Sequence, residues 1–572
     1  MYQIHWEAHH ITILSRLKLV PKVLVTNLYR LFAGIVLAQA LSFGQPFIFT
    51  RGVKNAASSL PFGVPAGTIA QGSIFSIYGR NLGPASGASA SSFPLQNSLS
   101  GVSVTITDGV TTLNAIPLYV SASQVNAIMP SNAPTGTVSV RVLVNGSKSN
   151  SAPARVGVNS LGLFTAKGSG AGPGIIFNYV SQSNQPLNTL QAPAKPGQVV
   201  TLWGTGLGPV AVDNVAPTAG NLPVTVDIFV GGKSTPKMYA GRSPCCSGDD
   251  QIVFQVPKDA PTGCWVPVYV KVADAVVSNT VTMAITTDGS ACTGKASAVA
   301  KSFAQGGKLG LLAPLRVDLN QAAPNSPVDL RSDFLVARLG QEKGGNLAFN
   351  PLISLPPAGT CTAYSGLGDW FTSANLPNIA PDVKVLAAGA GTISGGGKSA
   401  SYGAVISPMT LGALGANDTA SSTAKDTTLL APGSFTVQLA GGGDVPSFKQ
   451  SFTMISPLTW TNQSQVDTIT RSSPLTVSWS GGSGLSVAVV GGSVDLPTDS
   501  SSIFVCTAAA GASSLTVPVE MLANLPPGRG SAESRGVIFV VGAGSVGAFS
   551  ASGLNQGFLV PVYASGKAVQ IQ

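Results

Sequence analysis

Imidazole, the group most enzymes use to move protons at neutral pH, is confined to the first ten positions, as His5, His9 and His10. A mature chain starting beyond them has no Ser-His-Asp or Cys-His catalysis, no histidine metal site and no histidine base. Carboxylates remain: 19 Asp and three Glu follow position 40. Two of them held about 5–9.5 Å apart would serve glycoside hydrolysis. The adjacent pair Asp249-Asp250 lies in SPCCSGDDQ and reads as a solvated turn or a weak calcium contribution. No D-x-D-x-D-G loop surrounds it, and calcium takes about six to eight oxygen ligands. Asp369 in GLGDWF reads as a strand-end residue beside an aromatic. No catalytic, cofactor-binding or metal-binding residue is assigned on these grounds.

The thiols point to compartment more than to catalysis. Cys245, Cys246, Cys264, Cys292, Cys361 and Cys506 make an even set in a chain that reads as exported, which favours disulfides. Zinc competes poorly, because the spacing is irregular and no histidine completes a site. Cys245, Cys246, Cys264 and Cys292 allow three pairings, and the residues do not choose among them. Cys361 and Cys506 are left for each other.

Five tryptophans follow position 40. Trp203 and Trp479 sit inside apolar strand-like runs and read as core residues. Trp370 and Trp460 are the candidates for stacking on a sugar ring.

The elements that must position these groups are strands. Charged residues are 10% of the chain, too few for amphipathic helices with wet faces. Val- and Thr-rich runs cut by Gly and Pro read as short strands and turns. One thirteen-residue stretch occurs twice, as GSIFSIYGRNLGP at 72–84 and GQVVTLWGTGLGP at 197–209. Each reads as a strand ending in a sharp turn built by Gly79, Gly83 and Pro84, or by Gly204, Gly208 and Pro209, with glycine supplying positive φ. The glycines also resemble part of a phosphate loop. However, no helix-forming stretch and no G-K-[ST] follow, so nucleotide binding is not expected. The likeness continues from Gln124 to Asn150 and from Gln251 to Asn279. Both copies run through Q-hydrophobic, A-P-T-G, an alternating strand and Ser-Asn. The strand after A-P-T-G and the one after Ser-Asn are expected to form a terminal hairpin. A repeat of this length is a whole domain, and the strand density suggests a β-sandwich.

These motifs, over roughly 60–292, resemble the paired IPT/TIG-like, immunoglobulin-type domains of uncharacterised secreted proteins of acidobacteria (the Solibacter type). PLTWTN at 457–462 and LTVSWSGG at 475–482 resemble the C-terminal part of some members more loosely. The resemblance implies an immunoglobulin-like fold and an exported location. It carries no activity and no functional residues to transfer.

The N-terminus agrees with export. Arg30 precedes LFAGIVLAQA, a basic flank and short apolar core ending in A-x-A, which describes a signal peptide cleaved after Ala40. An uncleaved anchor is the competing reading. The apolar run is shorter than the roughly 20 residues of a membrane-spanning helix. The net charge of +9 falls to +6 without residues 1–40 and shows no basic run, so a nucleic-acid partner is not expected.

The expected organisation is all-β: signal peptide 1–40, linker 41–59, immunoglobulin-like domains 60–160 and 161–292, linker 293–313, a β-domain 314–456 and a β-sandwich 457–572. A Cys361–Cys506 bond would cross the 456/457 boundary, so it either links two domains or disproves the boundary. The leading functional expectation is a non-enzymatic secreted or cell-surface binding or scaffold protein contacting polysaccharide or a cell-envelope component. The alternatives are a carboxylate-dependent polysaccharide-active enzyme with its site in the C-terminal half, and a structural spacer.

Overall fold

The computed structural model describes residues 44–293, 298–320, 330–342, 345–351, 354–367, 383–404, 412–413, 429–495, 499–526 and 534–572. The expected signal peptide and Trp370 lie outside the described residues. The described chain is nearly all β, as expected, and opens with two immunoglobulin-like sandwiches in tandem.

The first sandwich runs through β1 (Phe47–Asn55), β2 (Ile69–Ala70), β3 (Ile74–Arg80), β4 (Ala88–Ser89), β5 (Val102–Thr107), β6 (Thr112–Val120), β7 (Gln124–Ile128), β8 (Gly136–Val144), β9 (Ser147–Lys148) and β10 (Ala152–Gly157). One sheet has the order β1-β3-β7-β6, and β6 continues into a second with the order β6-β5-β8-β10-β2. Inward residues such as Phe75, Ile77, Val104, Val125 and Val140 are fully buried between the sheets. The terminal hairpin is present as the antiparallel pair β8 and β10.

The second sandwich contains β11 (Gly162–Leu163), β12 (Ile176–Asn178), β13 (Val199–Thr205), β14 (Gly220–Asn221), β15 (Val226–Val230), β16 (Lys233–Thr235), β17 (Lys237–Arg242), β18 (Asp250–Gln255), β19 (Gly263–Val272), β20 (Val276–Val277) and β21 (Val281–Ile285). Its sheets are ordered β11-β13-β18-β17-β14 and β16-β15-β19-β20, with β21 pairing β19 as the counterpart hairpin.

The stretch 41–59 is not only a linker, because β1 occupies nine of its nineteen residues. The reason is a pin shared by both copies. Asn150 accepts from the Ile48 amide at 2.7 Å and donates to the Ile48 carbonyl at 3.1 Å. Asn279 makes the same two bonds to Leu163, at 2.7 and 3.0 Å. The preceding serine also repeats its role: Ser149 accepts from Val142 N and Ser278 from Val270 N, each at 3.0 Å. The Ser-Asn motif thus fastens the first strand of each sandwich to its last hairpin.

Two further boundaries are corrected. The expected linker 293–313 contains a helix over Ala298–Ala304, and a strand over Lys308–Asn320 begins inside it. That strand belongs to a sheet ordered Cys361–Leu367, Ser500–Thr507, Ser486–Asp495, Ser534–Ala543, Val562–Ile571, Lys308–Asn320, Leu330–Glu342 and Val383–Val385. Four strands from beyond 456/457 lie between strands from before it on both sides, so the two expected C-terminal domains form one interlocked body. Lys308–Asn320 lies parallel to Val562–Ile571, with Leu315 opposite Val562 and Asn320 opposite Lys567. Smaller sheets of four and three strands complete this body.

Candidate functional site

The cysteines pair as Cys245–Cys246, Cys264–Cys292 and Cys361–Cys506. Cys361 and Cys506 stand directly opposite each other on neighbouring strands, so their bond joins one sheet and bridges no gap between domains.

The adjacent Cys245–Cys246 bond lies in the loop between Arg242 and Asp250. Asp250 is fully buried, which overturns the solvated-turn reading. It forms an ion pair with Arg242 and accepts from the amides of Gly206 and Leu207 at 2.7 and 2.8 Å. Burial pushes its carboxyl upward, against Arg242 and those two amides. Arg242 donates onward to the Gly208 carbonyl at 2.7 Å and to the Gly72 carbonyl of the first sandwich at 2.9 Å. Thr205 Oγ1 accepts from Ile74 N at 2.9 Å and donates to Gly248 O at 2.6 Å. Ser131 donates to Asp213 from its amide at 2.8 Å and its hydroxyl at 2.6 Å. These bonds make a satisfied polar seam between the sandwiches, and the second glycine motif forms its centre.

The turn residues behave differently from the expectation for Gly79, Gly83 and Gly204, none of which adopts positive φ. Positive φ falls on Asn81 at 56° and on its counterpart Gly206 at 118°. Gly79 and Gly204 are needed for close approach: a Cβ would lie 2.1 Å from Phe47 O or 2.5 Å from Gly162 O. Gly208 does adopt positive φ, at 136°.

Trp460 is not a ligand aromatic. It is 6% exposed, packs in one core with Trp479, and donates to Asn462 at 2.9 Å. Trp203 departs from the core assignment: it is half-buried on the outer face of its sheet, edge-on to Phe177.

The equivalent outer face of the first sandwich gathers aromatic and basic groups that include no tryptophan. On β1, β3, β7 and β6 the register places Phe47 beside Arg80, Lys54 beside Ser76, Tyr78 beside Gln124, and Asn126 between Ser76 and Tyr119. The Arg80 guanidinium sits 4.9 Å above the Phe47 ring, and Lys54 Nζ lies 5.6 Å from the Tyr78 ring. Asn126 Oδ1 accepts from Ser76 at 2.9 Å and from Gln124 at 2.8 Å. Phe47 and Phe49 are 38% and 47% exposed. The available signal was Phe47-x-Phe49 around the apolar Ile48, in a stretch read as linker. Among the described residues no group of three or more His, Cys, Asp or Glu could hold a metal ion.

The fold and its seam define a class: immunoglobulin-like sandwiches joined in tandem to a larger β body. Residues 62–156, within the first sandwich, match the IPT/TIG domain family. No curated protein matches the chain. Among solved structures, the plexin A4 extracellular region is 15% identical over 42% of this chain and 18% of that one, with a TM-score of 0.17. Domains 5–6 of the S-layer protein SbsC are 12% identical over 42% of this chain and 98% of that one, with a TM-score of 0.16. A longer SbsC structure, domains 4–9, covers 92% of this chain at 11% identity and a TM-score of 0.15. Scores this low carry no argument about role. The chain spans about a fifth of the plexin chain's length.

Proposed function

We propose that this protein is a non-enzymatic extracytoplasmic scaffold and binding protein that contacts polysaccharide or another cell-envelope component. The observation that carries the reading is continuity of structure. The second sandwich is fixed on one side through Arg242 and Thr205 to Gly72 and Ile74. On its other side Tyr269 enters the same core as Trp460 and Trp479, and Trp265 Nε1 donates to Ala348 O at 3.3 Å. A body fixed at both seams holds its outer faces in set relative positions, which suits presentation or spacing.

Three disulfides fit an oxidising compartment. No helix among the described residues is long and apolar enough to cross a membrane. Two carboxylates of the C-terminal body that an enzyme would draw on are engaged in holding structure. Asp333 pairs with Arg316 and accepts from the amides of Leu429 and Leu430 at 2.5 and 2.8 Å, while Asp318 accepts from the Tyr563 hydroxyl at 2.6 Å.

The test is retention of oxidised protein on a panel of soluble and insoluble polysaccharides, with the washes assayed for released sugar. Saturable retention without release is expected. Released sugar would refute the non-enzymatic reading, and no retention anywhere would refute polysaccharide contact.

A further inference from the structure

We propose that the outer face formed by β1, β3, β7 and β6 of the first sandwich binds an acidic polysaccharide, with Phe47, Tyr78 and Tyr119 offering ring surfaces and Arg80 and Lys54 meeting its carboxylates. This rests on the binding reading above and adds the ligand class and the site.

The comparison between the two sandwiches carries the argument. Ile48 and Leu163 are equivalent through their asparagine pins, so Phe47 corresponds to Gly162 and Arg80 to Thr205. The paired strands place Asn126 where the second sandwich has Val253, and Tyr78 where it has Trp203. The second sandwich therefore builds the same sheet without Phe47, Arg80 or Asn126. The fold does not require them. Thr205 is buried in the seam against the first sandwich, whereas Arg80 at the equivalent point is exposed.

Charge then chooses the class of ligand. Residues 44–160 carry Arg51, Lys54, Arg80, Arg141, Lys148 and Arg155 against one acidic residue, Asp108. Residues 161–292 carry seven basic and seven acidic residues. The excess of five positive charges belongs to one sandwich, although the sequence as a whole looks thinly charged. Neither Lys54 nor Arg80 forms an ion pair among the described residues; each lies over an aromatic ring instead. The face alternates rings with the amides of Gln124 and Asn126, which the buried Ser76 hydroxyl ties into a bonded row. Sugar rings present this same mixture of apolar C–H faces and hydroxyls, and uronate sugars add the negative charge.

The full exported chain is titrated against polygalacturonate, with size-matched dextran and poly-L-glutamate as comparison polymers. Binding to polygalacturonate at least tenfold tighter than to either comparison polymer is expected. Arg80→Gln and Tyr78→Ala should each weaken it fivefold or more, with unfolding midpoints recorded to verify folding. Arg155→Gln removes one charge from the opposite sheet and should change affinity less than twofold. Equal loss from Arg155→Gln, or equal binding to poly-L-glutamate, would reduce the effect to net charge and overturn the proposal. Preference for dextran would overturn the acidic class while leaving polysaccharide contact standing, and binding to none of a full panel would refute both. A dimer in solution that Arg80→Gln dissociates would assign the face to a second copy instead.

Discussion

Arg242 and Asp250 show how one buried pair serves two domains. Asp250 is fully buried and Arg242 nearly so, and the guanidinium reaches carbonyls on both sides of the seam. Truncating one partner leaves the other buried without its counter-charge. Arg242→Met should therefore destabilise the protein by about 3–5 kcal/mol, measured by urea unfolding. Asp249, next in chain, gives a pH-dependent prediction. Burial pushes its carboxyl from an ordinary 3.8 up to about 7, the Asp250 charge adding to the rise and Arg242 opposing it. Between those values the folded protein holds a proton that the unfolded chain releases. Stability from this group is therefore present at low pH and is lost as pH rises from about 4 to about 7. Asp249→Asn should remove that loss. Its melting temperature should gain on the parent protein's between pH 5 and pH 8, and parallel curves would show that Asp249 titrates normally.

Single elements are held by contacts of very different reach. The two Ser-Asn pins allow a matched comparison, since Asn150 is exposed and Asn279 is buried with a third bond to Gly170 O at 2.7 Å. Asn279→Ala should cost about 2–4 kcal/mol and Asn150→Ala about 1 kcal/mol, because only the buried site leaves its partners without water. Loss of the Cys361–Cys506 bond, which closes a 145-residue separation, should cost about 2–4 kcal/mol in urea midpoint measurements. The same contrast explains what was readable beforehand. A-P-T-G, Ser-Asn and the glycine turns announce themselves within a few residues, so the tandem sandwiches and their hairpins were legible. The place of Phe47 was not, because its strand is fixed by contacts outside its own stretch, the pairing with β3 and the bond from Ile48 to Asn150, 102 positions away. Trp460 looked available because its neighbours in the core come from distant strands such as Ser534–Ala543. Asp250 looked solvated because nothing local reveals that Arg242 and the Gly206 turn fold over it.

At the scale of the molecule, the two seams predict cooperation. Calorimetry of the oxidised protein should show one unfolding transition, and Arg242→Met should lower it as a whole. A first sandwich melting separately would show that the polar seam does not transmit stability. The largest sheet has a further consequence for how the protein is made. Val562–Ile571, the last strand among the described residues, lies between Ser534–Ala543 and Lys308–Asn320, near the middle of that sheet. A growing chain emerges from its N-terminus, so the first sandwich has all its strands once residue 157 is free, while Lys308–Asn320 waits for a partner some 250 positions later. During that interval a thirteen-residue strand stands with one edge open, which makes this the stage at which aggregation competes with folding.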